Sequence, residues 1–279
     1  MVRPLLPAFV LLLVASFALP VTAQAPSGPI QDNSFLVEEA YNQQKGVVQH
    51  INTFSYFTQS HDWMYTFTQE WPMPHHERHQ LSYTLAYFRI GDSASHGPGI
   101  GDALLNYRYQ LIGSGDTRIA FAPRLSLILP AGDSDYGRGY GGTGLQTNLP
   151  LSTILSRKLV MHWNAGATWV PHAHNAAGDT AGIVSYNAGH SVIWLATDRF
   201  NGMLESVFTS MQAVSAPGRV QWSNSAFVNP GVRWAYNFQS GLQIVPGIAI
   251  PIGVGPSVGE KGVLVYLSFE HPLSALRRR

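Results

Sequence analysis

No cysteine occurs among the 279 residues, which excludes disulfides, thiolate metal sites and cysteine nucleophiles together. Charge is scarce too. Asp, Glu, Lys and Arg make up 12% of the chain, against roughly 25% in a soluble globular domain. The net charge of +1 offers no basic field for nucleic acid and no acidic field for a cationic partner. After the first residues, no stretch approaches the ~18 uninterrupted apolar residues of a membrane helix. The one long apolar run, Leu5 to Leu19, is broken only by Pro7 and Ser16. It follows Arg3 and precedes Val21-Thr22-Ala23, so residues 1–23 read as a cleavable signal peptide. Fold reasoning begins after it.

What is present is fine interleaving. Hydrophobic residues reach 45% while the mean hydropathy is +0.00, so apolar and polar side chains must alternate closely. The dominant period is two. Ala103, Leu105, Tyr107, Tyr109 and Leu111 alternate with Leu104, Asn106, Arg108 and Gln110; Val263, Val265, Leu267 and Phe269 alternate with Leu264, Tyr266, Ser268 and Glu270. The pattern predicts strands at 47–57, 63–71, 80–88, 102–111, 117–129, 145–152, 159–169, 184–195, 200–210, 226–238, 242–252 and 262–270. Most have about 9–12 residues, the length of a tilted strand crossing a hydrocarbon layer. The even-numbered connections average about five residues and the others about twelve, as where short periplasmic turns alternate with longer external loops.

The composition of the two faces separates a membrane barrel from a soluble one. A small soluble barrel fills its inside with apolar residues and turns polar ones outward. Here one face is mostly small or neutral, and the other carries large aromatics near strand ends, such as Trp63 and Trp71, Trp163 and Trp169, and Trp194. Rings at both ends of a strand suit two lipid–water interfaces. The expected fold is therefore all-β, a transmembrane antiparallel up-and-down β-barrel of about 12 strands over residues 47–271, followed by a basic tail, 272–279. Pro123, Pro230 and Pro246 fall inside predicted strands, where each removes a ladder donor. They mark either bulges and strand ends or shifted boundaries.

Residues 24–46 precede the first strand. Phe35 to Gln43 fit a short helix capped by Asp32, Asn33 or Ser34. The segment is either a periplasmic tether or a stretch folded into the lumen as a partial plug. Other motifs carry less. His75-His76-Glu77-Arg78-His79 has the wrong spacing for a zinc helix and reads as a polar turn. Gly137, Gly139 and Gly142 match a dinucleotide fingerprint, but a strand follows them instead of a helix. Asp133 and Asp135 lack the later ligands of a calcium loop. Residues 130–144 read as a flexible external loop, and His172 and His174 lie in another. A lipid hydrolase would need His, Asn and Ser together; His162 with Asn164 and His190 with Ser191 are fragments of such a set. No enzyme, cofactor or metal is expected.

The lumen remains. Strand phase places Glu70, Asn106, Arg108, Arg124, His162, Asn164, Glu205 and Arg233 on the inner face. They either pair and fill the interior or line a narrow permeation path and set its charge preference.

Several stretches carry a family resemblance: Pro29-Ile30-Gln31-Asp32-Asn33-Ser34-Phe35, Phe67-Thr68-Gln69-Glu70-Trp71-Pro72, Leu105-Asn106-Tyr107-Arg108-Tyr109, Pro123-Arg124-Leu125-Ser126 and Leu267-Ser268-Phe269-Glu270-His271-Pro272. Through them the chain resembles the outer-membrane transporter-like proteins associated with the meta-pathway of phenol degradation. The resemblance implies a barrel in the outer membrane that acts as a channel or transporter for small organic solutes, aromatic and hydrophobic ones included. A structural or adhesive barrel and an outer-membrane lipid hydrolase are the alternatives. Outer-membrane lipid, a small-molecule solute and the barrel-assembly machinery are the expected partners. Barrels of this kind end near an aromatic on the last strand, whereas here ten residues ending in Arg277-Arg278-Arg279 follow Phe269.

Overall fold

The computed structural model describes residue 30 and residues 33–91 and 97–273. The expected signal peptide, Asp32 and the arginine tail lie outside the described residues. Twelve antiparallel strands close into a barrel. They are β1 (Val47–Phe57), β2 (Trp63–Met73), β3 (His76–Arg89), β4 (Gly99–Ile100 with Ala103–Tyr109), β5 (Ile119–Phe121 with Arg124–Leu129) and β6 (Gly144–Asn148 with Leu151–Ser156). Then follow β7 (Leu159–His174), β8 (Thr180–Thr197), β9 (Phe200–Ala216), β10 (Arg219–Trp234 with Tyr236–Asn237), β11 (Gln243–Ala249 with Ile252–Gly253) and β12 (Gly262–Pro272). Each strand pairs with the next, and β12 returns to β1 in a register running from Val47 opposite Pro272 to Phe57 opposite Gly262. Closure leaves no unpaired edge, which lipid would not tolerate.

The faces are inverted relative to a soluble protein. Leu105, Tyr107, Leu125, Trp169, Trp194, Leu204, Phe208, Ile248 and Val265 are exposed on the outside. Gln49, Ser126, Ser191, Asn201, Glu205, Asn229 and Ser268 have no accessible surface at all. An apolar outside around a polar inside is stable only where the outside meets hydrocarbon.

The prolines mark interruptions of the ladder. Pro123 separates the two pieces of β5. Pro230 falls between the pairings of Phe227 and Val228 with Gly253 and Ile252 and those of Gly231 to Arg233 with Ala249 to Gly247. Pro246 lies where the same seam skips again, before Ile244 pairs with Tyr236. Both missing donors thus fall on a seam already broken.

Two expectations about loops are corrected. Residues 170–183 and 211–225, expected as external loops, are largely strand, because β7 continues to His174, β8 starts at Thr180, and β9 and β10 meet in the turn 217–218. Beyond the bilayer a ladder still satisfies its own backbone, but water on both sides no longer forces one face to be apolar, so the alternation fades there. The segment 130–144 is built, not loose. Asp102 accepts from the Gly132 N–H at 3.0 Å and the Tyr140 N–H at 2.8 Å, and Ser134–Tyr136 form a 3-10 turn capped by Asp133. A Cβ on Gly132 would meet the Arg138 carbonyl oxygen at 2.0 Å, and one on Gly142 the His172 carbonyl oxygen at 2.1 Å. Close backbone packing accounts for these two glycines. Burial and the nearby Asp102 push the Tyr140 hydroxyl above its ordinary value.

Candidate functional site

The lumen holds the chain's own N-terminal segment. Residues 33–46 run inside the barrel as an extended, bent chain, not as the helix expected over 35–43. The reason lies in the wall. Backbone N–H groups that a helix would use internally are taken by inward-facing side chains. Glu205 accepts from Leu36 and Val37 at 2.9 and 3.2 Å, and Asn164 accepts from Glu38 at 2.8 Å. Ser152 accepts from Ala40 at 2.8 Å, Gln110 from Asn42 at 2.9 Å and Gln80 from Gln43 at 2.6 Å. The wall also donates to the segment's carbonyls: Arg108 to Glu39 and Tyr41, Gln110 to Ala40, Asn164 to Glu38 and Arg233 to Asn33.

All eight residues assigned to the inner face point inward; six of them touch the segment directly, and Asn106 and Glu70 bind Arg124 and Arg108, which hold it. Arg108 pairs with Glu70 at 3.4 Å while its other contacts grip the segment. Arg124 forms a two-point ion pair with Glu38, Nε to Oε2 at 3.1 Å and Nη2 to Oε1 at 2.7 Å. Arg108 and Arg124 stand directly opposite each other on β4 and β5. Like charges facing across a ladder repel, so each arginine has its own carboxylate. Asn106 accepts from Arg124. His162 binds Ser152, Nδ1 to Oγ at 2.6 Å, and its ring meets that of Tyr41 edge-on at 5.9 Å. Glu205 and Arg233 lie on neighbouring strands but turn to different parts of the segment.

Shape holds what polarity does not. Phe35 is buried with Ile51, Met203, Val245 and Tyr266, its ring 5.4 Å from that of Tyr266. It fits because β10 and β11 carry glycines there. A Cβ on Gly231 would lie 2.6 Å from Phe35 Cε2, and one on Gly247 2.4 Å from Cε1. Neither close approach is legible from strand phase alone. Gln80 and Ser152 also hold the segment and fall in the inward phase of their strands, the same signal that marks their neighbours.

Cavities flank the segment. Two face the external half: one of about 230 Å³, with Thr53, Thr66, Thr84 and Tyr266 in its lining, and one of about 280 Å³, reached by Tyr140 and Asn187. A third, about 440 Å³, opens among the periplasmic turns beside Tyr41, Arg157 and Leu195.

The hydrolase fragments do not converge. His190 sits on the outer face against Trp163, ring centroids 5.1 Å apart, whereas Ser191 points inward to Ser34 at 2.8 Å. Ser152 beside His162 already accepts the Ala40 N–H, so the pair serves to hold the segment. The histidine run expected as a polar turn is strand from His76 onward, and His79 of β3 lies 2.7 Å from the Tyr107 hydroxyl. Among the described residues no three His, Asp or Glu side chains form a metal-binding group.

No protein-family profile and no curated protein sequence matches the chain. Solved structures do. The chain is similar to the NanC porin, with a TM-score of 0.51 and 11% identity over 79% of this chain and 98% of that one. It is also similar to an outer membrane channel from Pseudomonas putida F1, with a TM-score of 0.59 and 14% identity over 83% and 97% of the two chains. At such identities the likeness concerns the fold. A closed barrel of this form with an apolar outer band belongs in the cell outer membrane.

Proposed function

We propose that the protein is an outer-membrane channel or transporter for small organic solutes, aromatic and hydrophobic ones among them, with its own N-terminal segment as the gate. One observation carries this reading: among the described residues, wall side chains hold residues 33–45 and no strand ladder includes them, the ladder bond from the Leu273 N–H reaching only Gly46 at the entry to β1. It can leave the lumen without breaking a single inter-strand ladder, and a polar passage with ionic residues at its waist would remain. Glu70, Asn106, Arg108, Arg124, His162, Asn164, Glu205 and Arg233 would then line that passage. Two similar structures are described as a porin and an outer membrane channel, which supports the reading. The resemblance to proteins associated with phenol degradation favours an aromatic solute. Lipid would contact the outer aromatics, and the assembly machinery would read Phe269 on β12. Conductance of the purified protein in planar bilayers, with liposome uptake of phenol and benzoate, tests the proposal. Discrete current steps and solute entry are expected; an electrically silent protein that passes no solute would overturn it.

A further inference from the structure

We infer that Arg124 is a binding site for small carboxylates within the lumen and that Glu38 of the N-terminal segment is its resident occupant, exchanged for a solute's carboxylate. This rests on the channel reading above.

The geometry is that of carboxylate recognition. The Nε–Nη2 edge of Arg124 meets both oxygens of Glu38, at 3.1 and 2.7 Å, the two-point match that guanidinium makes with a carboxylate. Wall residues occupy the remaining donors. Asn106 Oδ1 accepts from Nη1 at 3.1 Å, Ser126 Oγ accepts from the same nitrogen, and Gln146 Oε1 accepts from Nη2 at 3.2 Å. The guanidinium is therefore fixed by the barrel and presents one free edge, which the segment fills.

Three further observations make the occupant exchangeable. Two lumenal ion pairs differ in access: Arg108–Glu70 is closed, with side chains 3% and 9% exposed, whereas Arg124–Glu38 is open at 12% and 28%. Both cavities of the external half reach Glu38 and Arg124. Arg108 faces Arg124 across the ladder, so withdrawing Glu38 leaves a positive centre that only another anion balances. Exchange swaps one carboxylate for another and keeps the charge of the site constant. Phe35, Ile51, Leu104 and Tyr266 line the cavity beside it, which suits a carboxylate with a small apolar body.

The test is equilibrium dialysis of radiolabelled benzoate against the full-length protein in detergent, with benzyl alcohol as the uncharged counterpart and chloride as a competing simple anion. Glu38→Gln turns the occupant into a weak competitor, so benzoate should bind about tenfold or more tightly than to the wild type. Arg124→Gln should abolish saturable binding, and benzyl alcohol should show none. Equal affinity in the wild type and Glu38→Gln, benzoate retained by Arg124→Gln, or displacement by equimolar chloride would each overturn the inference. If Arg124→Gln fails to assemble, as judged by heat-modifiable electrophoretic migration, the Glu38→Gln comparison decides alone. Bilayer recordings separate the two readings. A silent protein whose Arg124 still binds benzoate defeats the channel and leaves the site standing. A conducting protein whose benzoate binding ignores both residues defeats the site and leaves the channel.

Discussion

Replacing Gly247 by alanine should weaken the barrel's hold on its N-terminal segment while sparing the barrel. The added methyl would lie 2.4 Å from Phe35 Cε1 and 2.8 Å from Cζ, well inside the ~3.5–4.0 Å at which carbon atoms rest in contact. Phe35 must therefore retreat by roughly 1 Å. Overpacking of this kind costs about 1–3 kcal/mol, equivalent to a roughly 5- to 150-fold shift toward the released segment. The wall suffers little, since its nearest atom is Arg233 Cβ at 3.2 Å and alanine is favoured over glycine within a strand by about 0.5–1 kcal/mol. Because the chain has no cysteine, a Ser34→Cys change at a buried site of the segment introduces a single thiol. Its labelling by a membrane-impermeant maleimide reports release, and urea unfolding of the same protein reports the barrel. Faster labelling with an unchanged unfolding midpoint is expected. Equal labelling rates, or a midpoint that falls in step with release, would refute the reasoning. Gly231→Ala is the contrast, since its methyl would also meet the Ile248 carbonyl oxygen at 2.7 Å and should lower the midpoint.

Three more outcomes follow from the same contacts. Arg108→Gln removes the charge opposite Glu70 and the donors to Glu39 and Tyr41; losing one partner of a buried pair costs about 3–5 kcal/mol, so the urea midpoint should drop measurably. Asp102→Asn forfeits one of the two acceptors that tie down Gly132 and Tyr140, and trypsin should then cut after Arg138 faster than in the wild type. Glu260, in the external connection before β12, gives a pH-dependent case. Its slight burial acts to raise the carboxyl, but N–H donors from Gln59, Ser60 and Lys261 outweigh this and hold it below its ordinary value. A carboxyl lowered by folding stabilises at pH above its unfolded value, and that contribution is lost as pH falls through the folded one. Protection of residues 254–261 from acid-tolerant proteases should therefore persist near neutrality and disappear on acidification below about pH 4. Glu260→Gln should show weaker protection near neutrality and converge with the wild type in acid, and a flat profile in the wild type would contradict the assignment.

How far the sequence could be read depended on what each face meets. Where hydrocarbon covers one side, as along Leu105, Tyr107 and Trp169, the alternation was plain and the twelve strands emerged with their phases. Where water covers both sides, as at residues 211–225, the alternation fades and strand is indistinguishable from loop. Inner-face assignment needed only that phase, so Arg108, Arg124 and Glu205 were placed from sequence. The path of residues 33–46 was not legible, because an amphipathic stretch such as Phe35 to Gln43 keeps its own helical bonds unless a wall supplies others. Those suppliers sit 126 to 169 residues away for Glu38 and Leu36. Gly231 and Gly247 look like ordinary weak points of a strand until Phe35 is set against them.

The same distances bear on how the barrel stays shut. The seam between the chain's two ends is β1 against β12. The segment continues directly into β1, grips Gln80 and Gln110 on one side of that seam and Arg233 and Glu205 on the other. It therefore bridges the seam from within, as a brace joins two planks behind their joint. To part β1 from β12, the cell or a denaturant must break this cross-tie as well as the ladder. Ordering of the segment is in turn a late event, since its far partners come together only once the sheet has curled closed.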